Sequence, residues 1–192
     1  MNRKMNKNQK KHTPKDQLIN KAGKGRYLNP DAPEKLLRYV TRTNGQSDAD
    51  LIGWGGLGVS ESLGIDGIID QFKQVQASRT RRGNFGRYVD HEIYSFSPQS
   101  EIAISNWDID IDKLARKMAT DFYDTDKCQV VYGIHKSSKN DAHLHIHFAL
   151  NTTNFDNGNK RRENKRQSRE REQRFQEMTH NAYKEAIKKH FC

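Results

Sequence analysis

Cysteine and long apolar runs are what this sequence has least of. Two cysteines, Cys128 and Cys192, occur in 192 residues. One falls inside a predicted strand and the other is the last residue. That excludes a disulfide framework and a thiolate zinc site, and it fits a reducing compartment. No apolar run reaches the roughly 18 residues that a membrane-spanning helix needs. The basic N-terminus has no apolar stretch behind it and does not read as a secretory signal. Hydrophobic residues make up only 33% of the chain and charged residues 30%. That balance suits one soluble domain with polar ends. The glycine-rich stretch GWGGLGVSESLG, residues 53–64, lacks the closing Gly-Lys-Ser/Thr of a phosphate-binding loop. It reads as a loop or lid without nucleotide function. The sequence has no internal repeats.

Acid is the minority charge. Lys and Arg number 34 against 24 Asp and Glu, a net +10. This points to a polyanionic partner, nucleic acid before an acidic membrane surface. Basic residues crowd into residues 1–26 and into the turn RTRRGNFGR at 79–87. There Arg79, Arg81, Arg82 and Arg87 surround Phe85 and Tyr88. Cations beside rings are the usual grip on single-stranded DNA, and a solvated turn is the plain alternative. The mixed-sign run at 160–174 reads as a solvated helix face.

Residues 1–26 read as a flexible basic segment with a short ordered piece near 17–21. Residues 27–160 read as the main domain, and 161–192 as a charged helix that packs on it or extends from it. Within the domain, 29–42 predicts a helix, with Asp31 as N-cap, Pro33 in the first turn and an apolar stripe of Leu36, Leu37 and Val40. Residues 66–78 predict a second helix and 88–97 a strand. Residues 106–124 predict a third helix, with Ile111, Leu114, Ala115, Met118 and Phe122 at helical spacing. Residues 127–135 and 143–151 predict two strands joined by a polar hairpin tip. The order predicts an α+β fold, a central antiparallel β-sheet flanked by helices.

Four of the eight histidines fall between residues 135 and 151. His143, His145 and His147 alternate with Leu144, Ile146, Phe148 and Leu150. The histidines therefore share one face of a strand, and the apolar set enters the core. His135 ends the preceding strand and approaches His143 or His145 across the hairpin. Neutral imidazole is a common metal ligand, and three of them make a facial site with open positions. A solvated polar sheet face is the ordinary alternative. Asn151, on the same parity, is either a partner for a ligand or a plain strand-end residue.

The stretch GIHKSSKNDAHLHIHFALN, residues 133–151, resembles the third motif of conjugative and mobilisation relaxases of the HUH endonuclease superfamily. The MobP-type, MobA/VirD2-like branch is nearest. LLRYVTR (36–42) is similar to the first motif, in which a tyrosine on a helix is the nucleophile. HEIYSFSP (91–98) is similar to the second, whose serine contacts DNA. The three stand in the family's order over residues 33–155.

The resemblance implies the HUH relaxase fold, Tyr39 as nucleophile, Ser95 at the DNA, and His135, His145 and His147 as ligands of a divalent metal ion, Mg²⁺ or Mn²⁺. It implies nicking and rejoining of single-stranded DNA at a plasmid transfer origin through a 5′-phosphotyrosyl intermediate. Accessory transfer proteins would be further partners, no membrane would be involved, and the setting would be the bacterial cytoplasm. Ser137 stands where the family often has aspartate, with Asp141 near the end of a longer loop. His143 also departs from the pattern, and either it or His147 completes the triad. A phenol titrates near 10 and needs a nearby cation or base to act at neutral pH. Tyr27, beside Arg26, is the competing tyrosine. The rival readings are a rolling-circle replication initiator with the same chemistry, a non-catalytic nucleic-acid-binding module with a structural metal, and a metal-dependent hydrolase using water.

Overall fold

The computed structural model describes residues 15–21, 27–45, 49–80, 86–136 and 143–191. Five strands form one sheet, ordered β1 (Gln17–Asn20), β3 (Val89–Ser95), β5 (His145–Asn151), β4 (Val130–His135) and β2 (Leu51–Leu57). Every pairing is antiparallel. Helices α1 (Ala32–Val40) and α2 (Gly64–Ala77) cover one face, packing on Val89, Val131 and Ala149. Helices α4 (Ile111–Asp126) and α5 (Lys165–Phe191) cover the other, packing on Tyr94, Tyr132, Ile146 and Phe148. Helix α3 (Pro98–Asn106) follows β3. This is the expected α+β architecture. Among the described residues no helix is long and apolar enough to cross a membrane.

Local chemistry explains the elements. In α1, Pro33 sits in the first turn, and Leu36, Leu37 and Val40 turn inward. Asp31 occupies the N-cap position, but its carboxylate pairs with Lys35 at 2.6 Å and caps nothing. Helix α4 starts later than its sequence suggests, because the Asp110 side chain accepts the Lys113 N–H at 2.9 Å and fixes the N-terminus there. Residues 98–106 make a separate helix, α3. Its Ser97 cap accepts the Ser100 N–H at 3.2 Å, and Pro98 opens it. That helix buries only Ile104 and leaves Ile102 59% exposed, so it carries no apolar stripe to betray it.

Two sequence readings need correcting in part. The glycine-rich stretch is not simply a loop: its first half is edge strand β2, paired with β4. Glycine has low strand propensity, but here the cover demands it. A Cβ on Gly55 would lie 2.6 Å from the Tyr132 hydroxyl. The 160–174 run is mostly solvated, as expected, but two of its arginines are not. Arg161 is buried, and its guanidinium donates to Asp90 (2.9 Å), Glu92 (2.9 Å) and Asp126 (2.6 Å). Arg171, also buried, joins Asp121 (3.0 Å), Asp126 (2.9 Å) and Glu163 (2.8 Å). The planar fork of arginine suits such shared carboxylates. Beside this network Phe175 of α5 packs edge-on to Tyr94 and Phe122.

Candidate active site

The antiparallel register assembles the histidines. His135 of β4 stands directly opposite His145 of β5, and Gly133 stands opposite His147. Opposed residues share a face, so all three rings emerge beneath α1. Gly133 lets the helix come this close. A Cβ there would fall 2.2 Å from the Val40 carbonyl oxygen. That carbonyl accepts the His135 Nε2–H at 2.8 Å. His145 donates from Nδ1 to the His143 carbonyl at 2.7 Å. His147 Nδ1 meets His91 Nε2 at 2.8 Å, and His91 Nδ1 meets the Tyr27 hydroxyl at 2.9 Å.

Each ring therefore spends one nitrogen on the protein and turns the other toward the common centre. The ligand atoms of His135, His145 and His147 lie within 4.8 Å of one another. His135 Nδ1 and His147 Nε2 are buried, and neither has a hydrogen-bond partner. A buried polar nitrogen without a partner is costly. Two at one point fit a metal ion. Burial holds the His135 pKa down to about 4. Burial, with the neighbouring histidines, lowers that of His147 further still. Both rings are thus neutral, the form a metal requires.

Tyr39 hangs from α1 over this centre. Its ring lies 5.3 Å from that of His147 and 6.3 Å from that of His135, centre to centre. The Arg42 guanidinium sits 4.8 Å from the Tyr39 ring centre. Asp50 grips that guanidinium in a two-point pair at 3.0 and 2.8 Å. Lys21, Tyr27, Lys35 and Ile93 help wall an open cleft of about 690 Å³ that Tyr39, His91, His145 and His147 also line.

The other predicted residues fall as follows. Ser95 is half-buried and opposes His145 across β3–β5, beside the triad. His143 is exposed and stands apart from the triad, contributing its carbonyl. Asn151 is buried and donates to the Phe72 carbonyl (3.1 Å) and to Gln129 (2.8 Å), bracing α2 and β4. Arg87 pairs with Asp90 at 2.6 Å, toward the end of β3 away from Ser95. Arg79 stacks on Tyr88 at 4.4 Å. Arg81, Arg82, Phe85, Ser137, Asp141 and Cys192 lie outside the described residues. Sequence reasoning gave no role to His91, Arg42 or Asp50. The signal for His91 was its parity with Ser95 on a strand, which puts both on the histidine face.

The family model for relaxases, MobA/VirD2-like, nuclease domain, matches residues 39–183. The chain belongs to this family. It is a relaxase-type nuclease domain, an enzyme that nicks DNA. The match begins at Tyr39 and runs through both histidine strands into α5. Two solved structures are similar to this relaxase, both of the conjugative relaxase TrwC in complex with OriT DNA. The metal-bound one shares 14% identity with a TM-score of 0.49, and the metal-free one 15% with 0.46. Each similarity covers 90% of this chain and 70% of the other. No curated protein matches in sequence.

Proposed function

We propose that this relaxase cuts and rejoins one strand of DNA at a plasmid transfer origin. Tyr39 is the nucleophile, and His135, His145 and His147 hold one divalent cation. The observation that carries the reading is the meeting of the Tyr39 ring with three imidazoles, two of which keep a buried nitrogen unpartnered. Among the described residues no fourth ligand joins the three, whereas a closed structural site takes four. Three neutral nitrogens suit Mn²⁺ better than Mg²⁺, which prefers oxygen.

When bound, the cation supplies Lewis-acid polarisation of the scissile phosphate. The chain's residues supply the rest. The Tyr39 oxygen forms a bond to phosphorus, and the bond from phosphorus to the 3′ oxygen breaks. The phenol loses one proton and the departing 3′ oxygen gains one. One phosphodiester replaces another, so the reverse attack by the 3′-hydroxyl rejoins the strand. Arg42, locked by Asp50, places a fixed positive charge beside the ring as negative charge develops there. Ser95 contacts the DNA backbone next to the triad, and Arg81 and Arg82 add salt-sensitive phosphate contacts.

Tyr39→Phe removes one oxygen from a half-buried ring. It should abolish the covalent adduct with a labelled origin oligonucleotide on a denaturing gel, and leave the Tm unchanged. Full nicking by that variant, or an adduct mapped to Tyr27, overturns the assignment.

A further inference from the structure

His91 is buried on the site's face, yet it is not one of the three converging ligands. Its position is defined by two hydrogen bonds in line, His147 Nδ1 to His91 Nε2 at 2.8 Å and His91 Nδ1 to the Tyr27 hydroxyl at 2.9 Å. The proton order along this line is forced by chemistry. If His147 is to offer a lone pair at Nε2, its proton sits on Nδ1. His91 Nε2 must then accept it, so His91 carries its own proton on Nδ1 and donates to the Tyr27 oxygen. Tyr27 is held for this purpose at some cost. Its φ of 62° lies in the left-handed region, which a bulky side chain avoids. The Tyr88 N–H fixes it there through the Tyr27 carbonyl at 2.8 Å.

The geometry points to His91 and Tyr27 as positioning residues, a neutral two-ring relay that locks His147 in the metal-binding tautomer. Outer partners of ligating histidines typically change metal affinity by about 10–100-fold. This inference rests on the proposed metal at the triad, and it gives the competing tyrosine a part in the site other than nucleophile.

Titration calorimetry with Mn²⁺ on the full chain tests it, with no DNA and no turnover. His91→Phe keeps a ring but offers no acceptor, and should weaken Mn²⁺ binding about 10–100-fold. His91→Gln returns an amide oxygen near the lost Nε2 and should stay within a few-fold of wild type. Tyr27→Phe should lose less than His91→Phe. His91→Phe binding within twofold of wild type overturns the relay. So does an equal loss in His91→Phe and His91→Gln, which marks packing instead. The proposed metal site fails separately if His145→Ala binds Mn²⁺ as wild type does. If wild type binds none, both ideas fall.

Discussion

Glu92 and His91 are neighbours on β3, and they face opposite sides of the sheet. On the side of α4 and α5, Glu92 is buried against Arg161, and that guanidinium is shared among carboxylates from β3 and α4. On the side of α1, His91 leans on a cluster in which two buried nitrogens keep no partner. Both faces bury polar groups. One sets its charges against each other, with Glu92 Oε2 alone on that strand left without a hydrogen bond, and serves the fold. The other holds two nitrogens in reserve at the mouth of a cleft, where the proposed metal would take them up. Strand β5 serves both, sending His145 and His147 one way and Ile146, Phe148 and Leu150 the other.

The largest break comes from the closed face. Arg161→Met leaves Asp90, Glu92 and Asp126 without their shared cation and should cost about 3–5 kcal/mol in urea unfolding. The nicking rate per folded molecule should hold, and a loss below about 1 kcal/mol would mean the network is ornamental to stability. Gly133→Ala strikes the other face. The added methyl meets the Val40 carbonyl and should cost about 1–3 kcal/mol as overpacking does. It should also slow adduct formation more than tenfold, because α1 carries Tyr39. A variant as active as wild type would show that α1 need not sit so close.

The smallest effect sharpens the comparison by sign. In metal-free protein, His135 is held near 4 by burial and His147 is lowered in the same direction. An unfolded histidine titrates near 6.5. Between 6.5 and 4 the unfolded chain binds more protons, so stability falls with falling pH, by about 1.4 kcal/mol per unit for each ring. Glu92 acts in the opposite sense. Burial pushes it up to about 7 despite Arg161, so from about 4.5 to 7 its native form holds the extra proton, and stability falls as pH rises. Glu92→Gln should therefore steepen the acid loss in urea midpoints measured from pH 7 to 4.5. An unchanged or shallower slope would contradict the assignment of the two faces.

The histidine face was legible because strand alternation has period two and imidazole chemistry is specific. Tyr39 was legible through the likeness of its helix to a family motif. The antiparallel sheet followed from several strands lying close in sequence. What stayed hidden depended on tertiary cover. Gly55 reads as a loop residue until the Tyr132 ring is seen above it. Arg161 reads as solvated until three carboxylates surround it. His91 reaches His147 only once β3 and β5 pair in register, which no local pattern sets. Helix α3 gave no periodic signal because most of it faces water.

The bond from His135 to the Val40 carbonyl spans 95 positions of chain. A ribosome adding about 5–20 residues per second makes Val40 roughly 5–20 seconds before His135. For that interval the apolar flank of α1, with Leu36, Leu37 and Val40, has no finished sheet to lie against. The nascent chain thus carries Tyr39, the proposed nucleophile, before the histidines it is to meet, and the site is assembled only when translation reaches the second histidine strand.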